Sequence, residues 1–290
     1  MNKYRFAFMA ALILLWPLSV LAADPGMTVE QFESSLHYQT GTVNLPGGKV
    51  RLEIPKTFRY LGPNDARRVL EDAWGNPPGG TTLGMLFPAN VSPVERDAWG
   101  IIITYSDDGH VSDDDADSID YTDLLAQMKD DIAEENKMRS EKGFETAELV
   151  GWAQEPRYDK ETRKFYWAKD IRFASDAQDT LNYNIRILGR DGVLVLNAVA
   201  GMDQLYQIDQ AIPDILAFTN FTSGNKYEDF DASTDKVAAY GLAALVAGVA
   251  AKKLGLLAVI VAFLVKGWKL LLVGAAALGG GFMKSKKNRA

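Results

Sequence analysis

The stretch LNYNIRILGRDGVLVLNAV, residues 181–199, decides the fold class. Residues 181–188 and 193–199 are rich in β-branched and other apolar side chains, which favour strands. Gly189-Arg190-Asp191-Gly192 separates them, and its Asp-Gly pair is a strong signal for a tight hairpin turn. The stretch therefore predicts two neighbouring antiparallel strands, from which the other elements are assigned outward.

Strand and helix patterns continue on both sides of this hairpin. Further strands are predicted at residues 42–44, 49–54, 82–87, 99–105, 148–155, 164–173 and 216–221. Helices are predicted at residues 29–36, 65–73, 121–142 and 202–212. Antiparallel strands with a few helices indicate the α+β class, an antiparallel sheet with packed helices. The closing hairpin, helix and strand resemble the PsbP-like fold, which implies architecture and not function.

The N-terminus has the layout of a secretory signal peptide over residues 1–22. Lys3 and Arg5 give the positive start, residues 6–15 form an apolar core, and Val20-Leu21-Ala22 offers small residues for cleavage after Ala22. An uncleaved anchor is the alternative, although the apolar core is short for a span. Either form would export the next residues, so we expect residues 23–232 to be an extracytoplasmic domain.

The C-terminal region predicts a membrane anchor, here taken as residues 233–290. Residues 237–283 are apolar apart from Lys252-Lys253, Lys266 and Lys269, and a polar segment at residues 225–236 reads as a tether. The basic tail should lie in the cytoplasm, which requires an odd number of crossings. One crossing after an interfacial helix and three short crossings both fit, so the number stays open. The expected location is the bacterial inner membrane, with the main domain periplasmic.

Charge and composition exclude several classes of function. Between residue 22 and Lys236 the chain carries 20 basic and 38 acidic residues, a net charge of −18. So acidic a domain repels phosphate backbones and argues against nucleic-acid binding. The absence of cysteine excludes disulfides, thiol catalysis and N-terminal lipoprotein anchoring.

Several motifs together resemble one known family. They are Gly62-Pro63, Trp74-Gly75-Asn76-Pro77-Pro78, Gly84-Met85-Leu86-Phe87-Pro88, Tyr105 with Asp107-Asp108-Gly109, Asp113-Asp114-Asp115-Ala116, Gly151-Trp152, Asn182-Tyr183-Asn184 and Leu188-Gly189-Arg190. They look like the bacterial domain-of-unknown-function family numbered 2167, across nearly all of residues 28–290. The resemblance implies a membrane-anchored protein and carries no established activity.

The acidic loop at residues 107–120 is the densest cluster of candidate ligands. Asp113, Asp115 and Asp117 have the 1-3-5 spacing of a calcium loop, and oxygen-rich loops bind Ca²⁺. However, Ser118 stands where that loop has glycine and Leu124 where it has glutamate. A possible Ca²⁺ site is therefore weighed against a solvated loop whose acids favour the following helix N-terminus.

Two other features are candidate sites. His110, beside the acidic loop, could be a metal ligand or general base, but a surface histidine is the preferred interpretation, and His37 is the only other histidine. The candidate interaction loop comprises Trp74, Asn76, Pro77 and Pro78, because two prolines make a loop stiff and cheap to order on binding. Arg186 and Arg190, near a turn, are expected only to balance the acidic surface.

Three hypotheses for function follow. The preferred one is a non-enzymatic, membrane-anchored envelope protein whose acidic domain binds a protein or an envelope component. The second is a metal-assisted hydrolase that uses His110 and the acidic loop. The third is a subunit of an oligomeric membrane assembly, with helices packed through the Ala/Gly-rich segment at residues 237–251.

Overall fold

An eight-stranded antiparallel sheet forms the centre of the fold. The computed structural model describes residues 28–74, 76, 78–95, 97–141, 145–174 and 178–247. The strands are β1 (Tyr38–Gln39), β2 (Gly41–Asn44), β3 (Val50–Ile54), β4 (Phe58–Leu61), β5 (Gly84–Pro88), β6 (Gly100–Ser106), β7 (Ala147–Asp159), β8 (Lys164–Phe173), β9 (Thr180–Leu188), β10 (Val193–Gly201) and β11 (Thr219–Phe221). The α-helices are α1 (Val29–Ser34), α2 (Pro63–Arg68), α3 (Tyr121–Glu141), α4 (Leu205–Phe218) and α5 (Leu242–Ala247).

The predicted hairpin is confirmed and lies in the middle of the large sheet. Its strand order is β1-β4-β5-β6-β10-β9-β8-β7, and each neighbouring pair is antiparallel. The β9–β10 pairing starts with Leu188 opposite Val193 across the turn. The α+β class with a large antiparallel sheet and packed helices is thereby confirmed.

One face of the large sheet is covered by α4 and a small sheet of order β11-β3-β2. Alternate side chains of the central strands, Ile103, Ile185 and Leu196 among them, point to this face and are fully buried. They pack in one apolar cluster with Ile208 and Ile212 of α4. The alternation follows from the two-residue period of a strand.

The other face carries two separate apolar clusters. One packs under α3 and α5 and includes Met128, Trp167 and Leu242. The second packs under α1 and α2 and includes Met85 and Ile102. The central strands between these clusters are therefore only partly covered by apolar side chains, and this is where the candidate site lies.

Two predicted helix boundaries are wrong. The helix predicted to begin at residue 65 begins at Pro63 as α2, with Gly62 as its N-cap residue. Proline suits the first turn because its missing N–H has no intrahelical partner there.

The helix predicted at residues 202–212 continues through Pro213 to Phe218 as α4. Its apolar spacing continues as well, and Ile208, Ile212 and Ile215 are all buried. Burial of this stripe outweighs the one hydrogen bond that proline removes. The predicted strand at residues 216–221 is consequently reduced to β11.

The C-terminal segment, defined as residues 225–247, packs on the domain instead of forming a tether. Val237 bridges His110, with His110 N donating to the Lys236 carbonyl and Ala238 N to the His110 carbonyl, both at 2.8 Å. Arg190 pairs with Asp235 at 2.7 Å. The predicted boundary at 232/233 and the predicted tether at residues 225–236 therefore fall within the packed unit.

The structure describes residues 233–247 of the predicted anchor, and these include the helix α5. Leu242 is fully buried, and Val246 nearly so, against the cluster under α3. A Cβ on Gly241 would lie 2.7 Å from the Asp115 carboxylate, so the glycine there permits a close contact within the domain. Within the described residues, no helix combines the length and the apolar character needed to cross a membrane. Residues 1–22 and 248–290, including most of the predicted anchor, lie outside the described residues.

His110 is buried beneath this segment, so its interpretation as a surface residue is wrong. Its ring stacks on Phe230 at 3.9 Å and lies 4.3 Å from Tyr227, centroid to centroid. Its Nδ1 lies 3.2 Å from the Arg190 carbonyl. Burial lowers the pKa of His110, because a charged imidazolium loses hydration among these rings.

We expect Asp115→Ala and Leu242→Ala to destabilise the domain through loss of this packing. Asp115 accepts hydrogen bonds from Leu242 N at 3.0 Å and Ala243 N at 3.1 Å. Losing them should lower the free energy of unfolding by about 1 kcal/mol, and Leu242→Ala should cost about 2–5 kcal/mol. Urea denaturation of the full chain measures both, with exposed Asp114→Ala as the control. Equal stability of all four proteins would contradict the docked position of α5.

The buried histidine should make the domain sensitive to mild acid. The folded-state pKa of His110 is below its unfolded value of about 6.5, so the unfolded chain takes up the proton first. The contribution of the neutral His110 to the free energy of unfolding is therefore fully present above about pH 7 and is lost as pH drops below about 6.5. We expect His110→Phe to lose less stability than the wild type between pH 7 and pH 5 in denaturant titrations, with His37→Gln as the histidine control. A steeper loss in His110→Phe would reverse the sign of this prediction.

Candidate functional site

Asp113 is the centre of a saturated polar cluster within the acidic loop. It accepts hydrogen bonds from Tyr158 at 2.8 Å and Tyr227 at 3.0 Å, and it pairs with Arg163. Burial alone would raise the pKa of Asp113, but these hydrogen bonds and the guanidinium charge outweigh it and lower that pKa. The carboxylate thus joins the β7–β8 hairpin to the C-terminal segment.

The other acids of the loop point to separate partners. Asp115 binds the backbone of α5, Asp117 pairs with Lys160 at 2.7 Å, and Asp120 caps α3 by accepting from Thr122 N and Asp123 N. In the described part of the chain, no group of three or more His, Asp or Glu side chains is placed to hold a metal ion. The Ca²⁺ site at Asp113, Asp115 and Asp117 stays a prediction, and this geometry gives it no support.

The candidate interaction loop turns two of its members inward. Trp74 donates its indole N–H to the Pro93 carbonyl at 2.8 Å, and Asn76 donates its amide to the Leu70 carbonyl at 2.9 Å. Pro78 is exposed, and Pro77 lies outside the described residues. The exposed part is therefore the loop tip, while Trp74 and Asn76 fix its base.

A set of polar side chains that the sequence analysis did not identify as a site lies between the two apolar clusters. We define the polar seam as Lys169, Asn182, Asn184, Arg186 and Asn197. Strand register places them together: Lys169 is opposite Asn182, and Asn184 is opposite Asn197. Directly opposed residues of antiparallel strands share a face, so these side chains all lie on the face of α3 and α5.

The position of the polar seam follows from one row across the sheet. Trp167, Asn184, Asn197 and Ile102 are successive partners on β8, β9, β10 and β6. Trp167 belongs to the cluster under α3, and Ile102 to the cluster under α2. The two asparagines thus fill the gap between the clusters.

Hydrogen bonds connect the amides of the polar seam. Asn184 donates to the Asn182 amide oxygen at 2.7 Å, and Asn182 donates to that of Asn197 at 3.2 Å. Arg186 donates to the Asn184 amide oxygen at 3.4 Å, and its guanidinium lies over the Trp167 ring at 5.0 Å. The chain of bonds and the stacking fix the guanidinium in place.

Neither of the two cations of the polar seam has a negative partner within the part of the chain that the structure describes. Lys169 is only 8% exposed, and in the described residues its ammonium makes no hydrogen bond or ion pair. Burial, together with the Arg186 charge, lowers the pKa of Lys169 to about 8. Burial also lowers the pKa of Arg186 to about 10, although Tyr240 partly offsets this. Uncompensated charge in such a place is costly to a fold.

A sequence signal for this site was present. Asn182, Asn184 and Arg186 alternate with apolar residues on one central strand. In a strand buried on both faces, that alternation puts polar groups on a covered face. The expectation that Arg186 merely balances the acidic surface is wrong, because no carboxylate among the described residues pairs with it.

Several solved structures are similar over most of their length. Cyanobacterial PsbP (CyanoP) from Synechocystis sp. PCC 6803 aligns with a TM-score of 0.33 and 12% identity, covering 65% of this chain and 93% of that one. LpqN, involved in cell envelope biogenesis of Mycobacterium tuberculosis, aligns with a TM-score of 0.32 and 14% identity, covering 69% of this chain and 99% of that one. The Ran-binding protein Mog1p of Saccharomyces cerevisiae aligns with a TM-score of 0.29 and 11% identity, covering 64% of this chain and 96% of that one. Likenesses at these scores carry no argument about this chain.

No curated protein matches the chain significantly. The model of one protein family does match, over residues 37–277. This range includes the large sheet, the polar seam and the C-terminal segment, and it agrees with the resemblance of the sequence motifs. The chain therefore belongs to the family described as Protein of unknown function (DUF2167).

Proposed function

We propose that this chain is a membrane-anchored envelope protein whose extracytoplasmic domain binds a ligand at the polar seam and does not catalyse a reaction. The observation that carries the binding role is Lys169, a buried residue whose ammonium has no hydrogen-bond or ion-pair partner among the described residues and lies near the Arg186 charge. An unpaired buried charge lowers stability, so a ligand that supplies the opposite charge is its natural complement. The envelope location rests on the two ends of the sequence.

The anchoring role is supported by the hydropathy of the sequence. Residues 237–283 are apolar apart from four lysines, and a basic tail follows them. We also propose a PsbP-like architecture followed by one or more C-terminal transmembrane segments, from the order of the closing elements and the hydropathy.

The two alternatives have weaker support. The acids of the loop serve separate structural partners, and His110 is enclosed by aromatic rings, which does not favour a metal-assisted hydrolase. Ala238, Gly241 and Ala247 of the Ala/Gly-rich segment contact the chain's own domain, which leaves fewer small residues for oligomerisation. Crosslinking in membranes would reveal an assembly if one forms.

We expect the protein to fractionate with membranes and to expose its domain outside the cytoplasm. Protease added to spheroplasts should digest the domain and leave the basic C-terminal tail protected. The mature N-terminus should start at Ala23 if the signal is cleaved. A domain that resists external protease while a periplasmic control is digested, or that a high-salt wash releases, would refute the proposed topology.

Lys169→Met should leave the free energy of unfolding unchanged or raise it by about 1 kcal/mol or more at pH 7, because methionine fills the site without a charge. The folded pKa of about 8 is below the value of about 10.5 for a fully hydrated lysine, so the charge lowers stability fully below pH 8 and no longer does so as pH approaches 10.5. Denaturant titrations at pH 7 and pH 9.5 measure this, with exposed Lys56→Met as the matched control. A large destabilisation by Lys169→Met alone would show that the lysine is structural.

A further inference from the structure

The polar seam has more hydrogen-bond donors than free acceptors. The amide oxygens of Asn182, Asn184 and Asn197 each already accept one hydrogen bond from within the seam. Among the described residues, the Lys169 ammonium and the amide N–H groups of Asn197 make no hydrogen bond. The buried indole N–H of Trp167 is likewise without a partner. A complementary ligand must therefore bring acceptors.

We propose that the polar seam binds a phosphate group, an inference that rests on the ligand-binding role proposed above. Lys169 and Arg186 bring two positive charges, and the seam contains no carboxylate. A phosphate monoester carries about −1.5 to −2 charges at pH 7 together with several acceptor oxygens, which matches both charge and donors. A carboxylate supplies one charge. A neutral polyol would need more free acceptors than the seam has, and a metal cation would be repelled.

The exposure of the seam residues indicates how phosphate would enter. Arg186 and Asn197 are partly exposed, as are their neighbours Thr104 and Val195, whereas Lys169 is buried. The open side is therefore that of β6 and β10, with Arg186 near the entrance and Lys169 at the deep end. Because the guanidinium is already held over Trp167, little ordering remains to be done when the ligand binds.

The charge of the whole domain restricts the kind of molecule that carries the phosphate. A net charge of −18 over the segment between residue 22 and Lys236 repels a polyanion such as a nucleic acid. A single phosphate group can still be bound by the local pair of cations. The fitting ligand is thus an isolated phosphate, either free or on a phosphorylated glycerol headgroup.

The test is calorimetric titration of the full chain with inorganic phosphate, glycerol 3-phosphate and acetate at matched ionic strength. We expect both phosphates to bind at one site per chain and acetate to bind at least about tenfold more weakly, since it lacks the second charge. Tighter binding of glycerol 3-phosphate would identify a headgroup as the source, and tighter binding of inorganic phosphate the free ion. Absence of binding by both phosphates would overturn the proposal.

Two variants test whether the seam is the site. Lys169→Met and Asn197→Asp should each weaken phosphate binding about tenfold or more, the first by removing a charge and the second by adding a carboxylate among the donors. Lys56→Met, outside the seam, should bind as the wild type does, and denaturant titration shows that each variant folds. Wild-type affinity in both seam variants would place phosphate elsewhere and overturn the proposal.

These outcomes separate this inference from the function on which it rests. Acetate bound as tightly as phosphate, with both affinities lost in Lys169→Met, would overturn the phosphate assignment and leave the ligand-binding role. If the chain binds phosphate but its domain resists external protease, the phosphate site stands and the proposed envelope location is refuted.

Discussion

Antiparallel pairing of β9 with β10 is the constraint on which the rest of this structure depends. The register of that pair sends Tyr183 and Ile185 to one face and Asn184 and Arg186 to the other. The pairing continues to β8 and β6, and directly opposed residues share a face, so the side chains of these strands also alternate between the same two faces. The apolar face can then be closed by α4 in one continuous core, while the second face must be covered in two parts.

That division explains why the polar groups gather where they do. The helices α1 and α2 cover β4 to β6, and α3 covers β7, so no long apolar helix of the described residues covers the middle of the second face. Side chains there are far enough from water to lose hydration, as the lowered pKa of Lys169 indicates. A fold selected only for stability would place apolar side chains in this row, and the presence of two cations is what gives the seam its functional interest.

The acidic loop has a structural role next to the polar seam. Its carboxylates hold the C-terminal segment: Asp115 binds the start of α5, Asp108 accepts the Tyr240 hydroxyl at 2.8 Å, and Asp113 accepts that of Tyr227. The segment in turn buries His110 and brings Tyr240 close enough to influence Arg186. The loop and the segment are thus one packing unit next to the polar seam.

Local patterns in the sequence predicted most of the strands and helices, the central hairpin and the family, because these depend on periodicity, turn residues and contiguous motifs. The short strands β1 and β4 were not predicted. The turn between β9 and β10 was also predicted correctly. Three features emerged only in the folded chain: residues 225–247 dock on the domain, His110 is buried, and five polar residues from three strands meet. Those outcomes depend on contacts between residues far apart in the chain, and local pattern cannot tell an Ala-rich helix packed on protein from one packed in lipid.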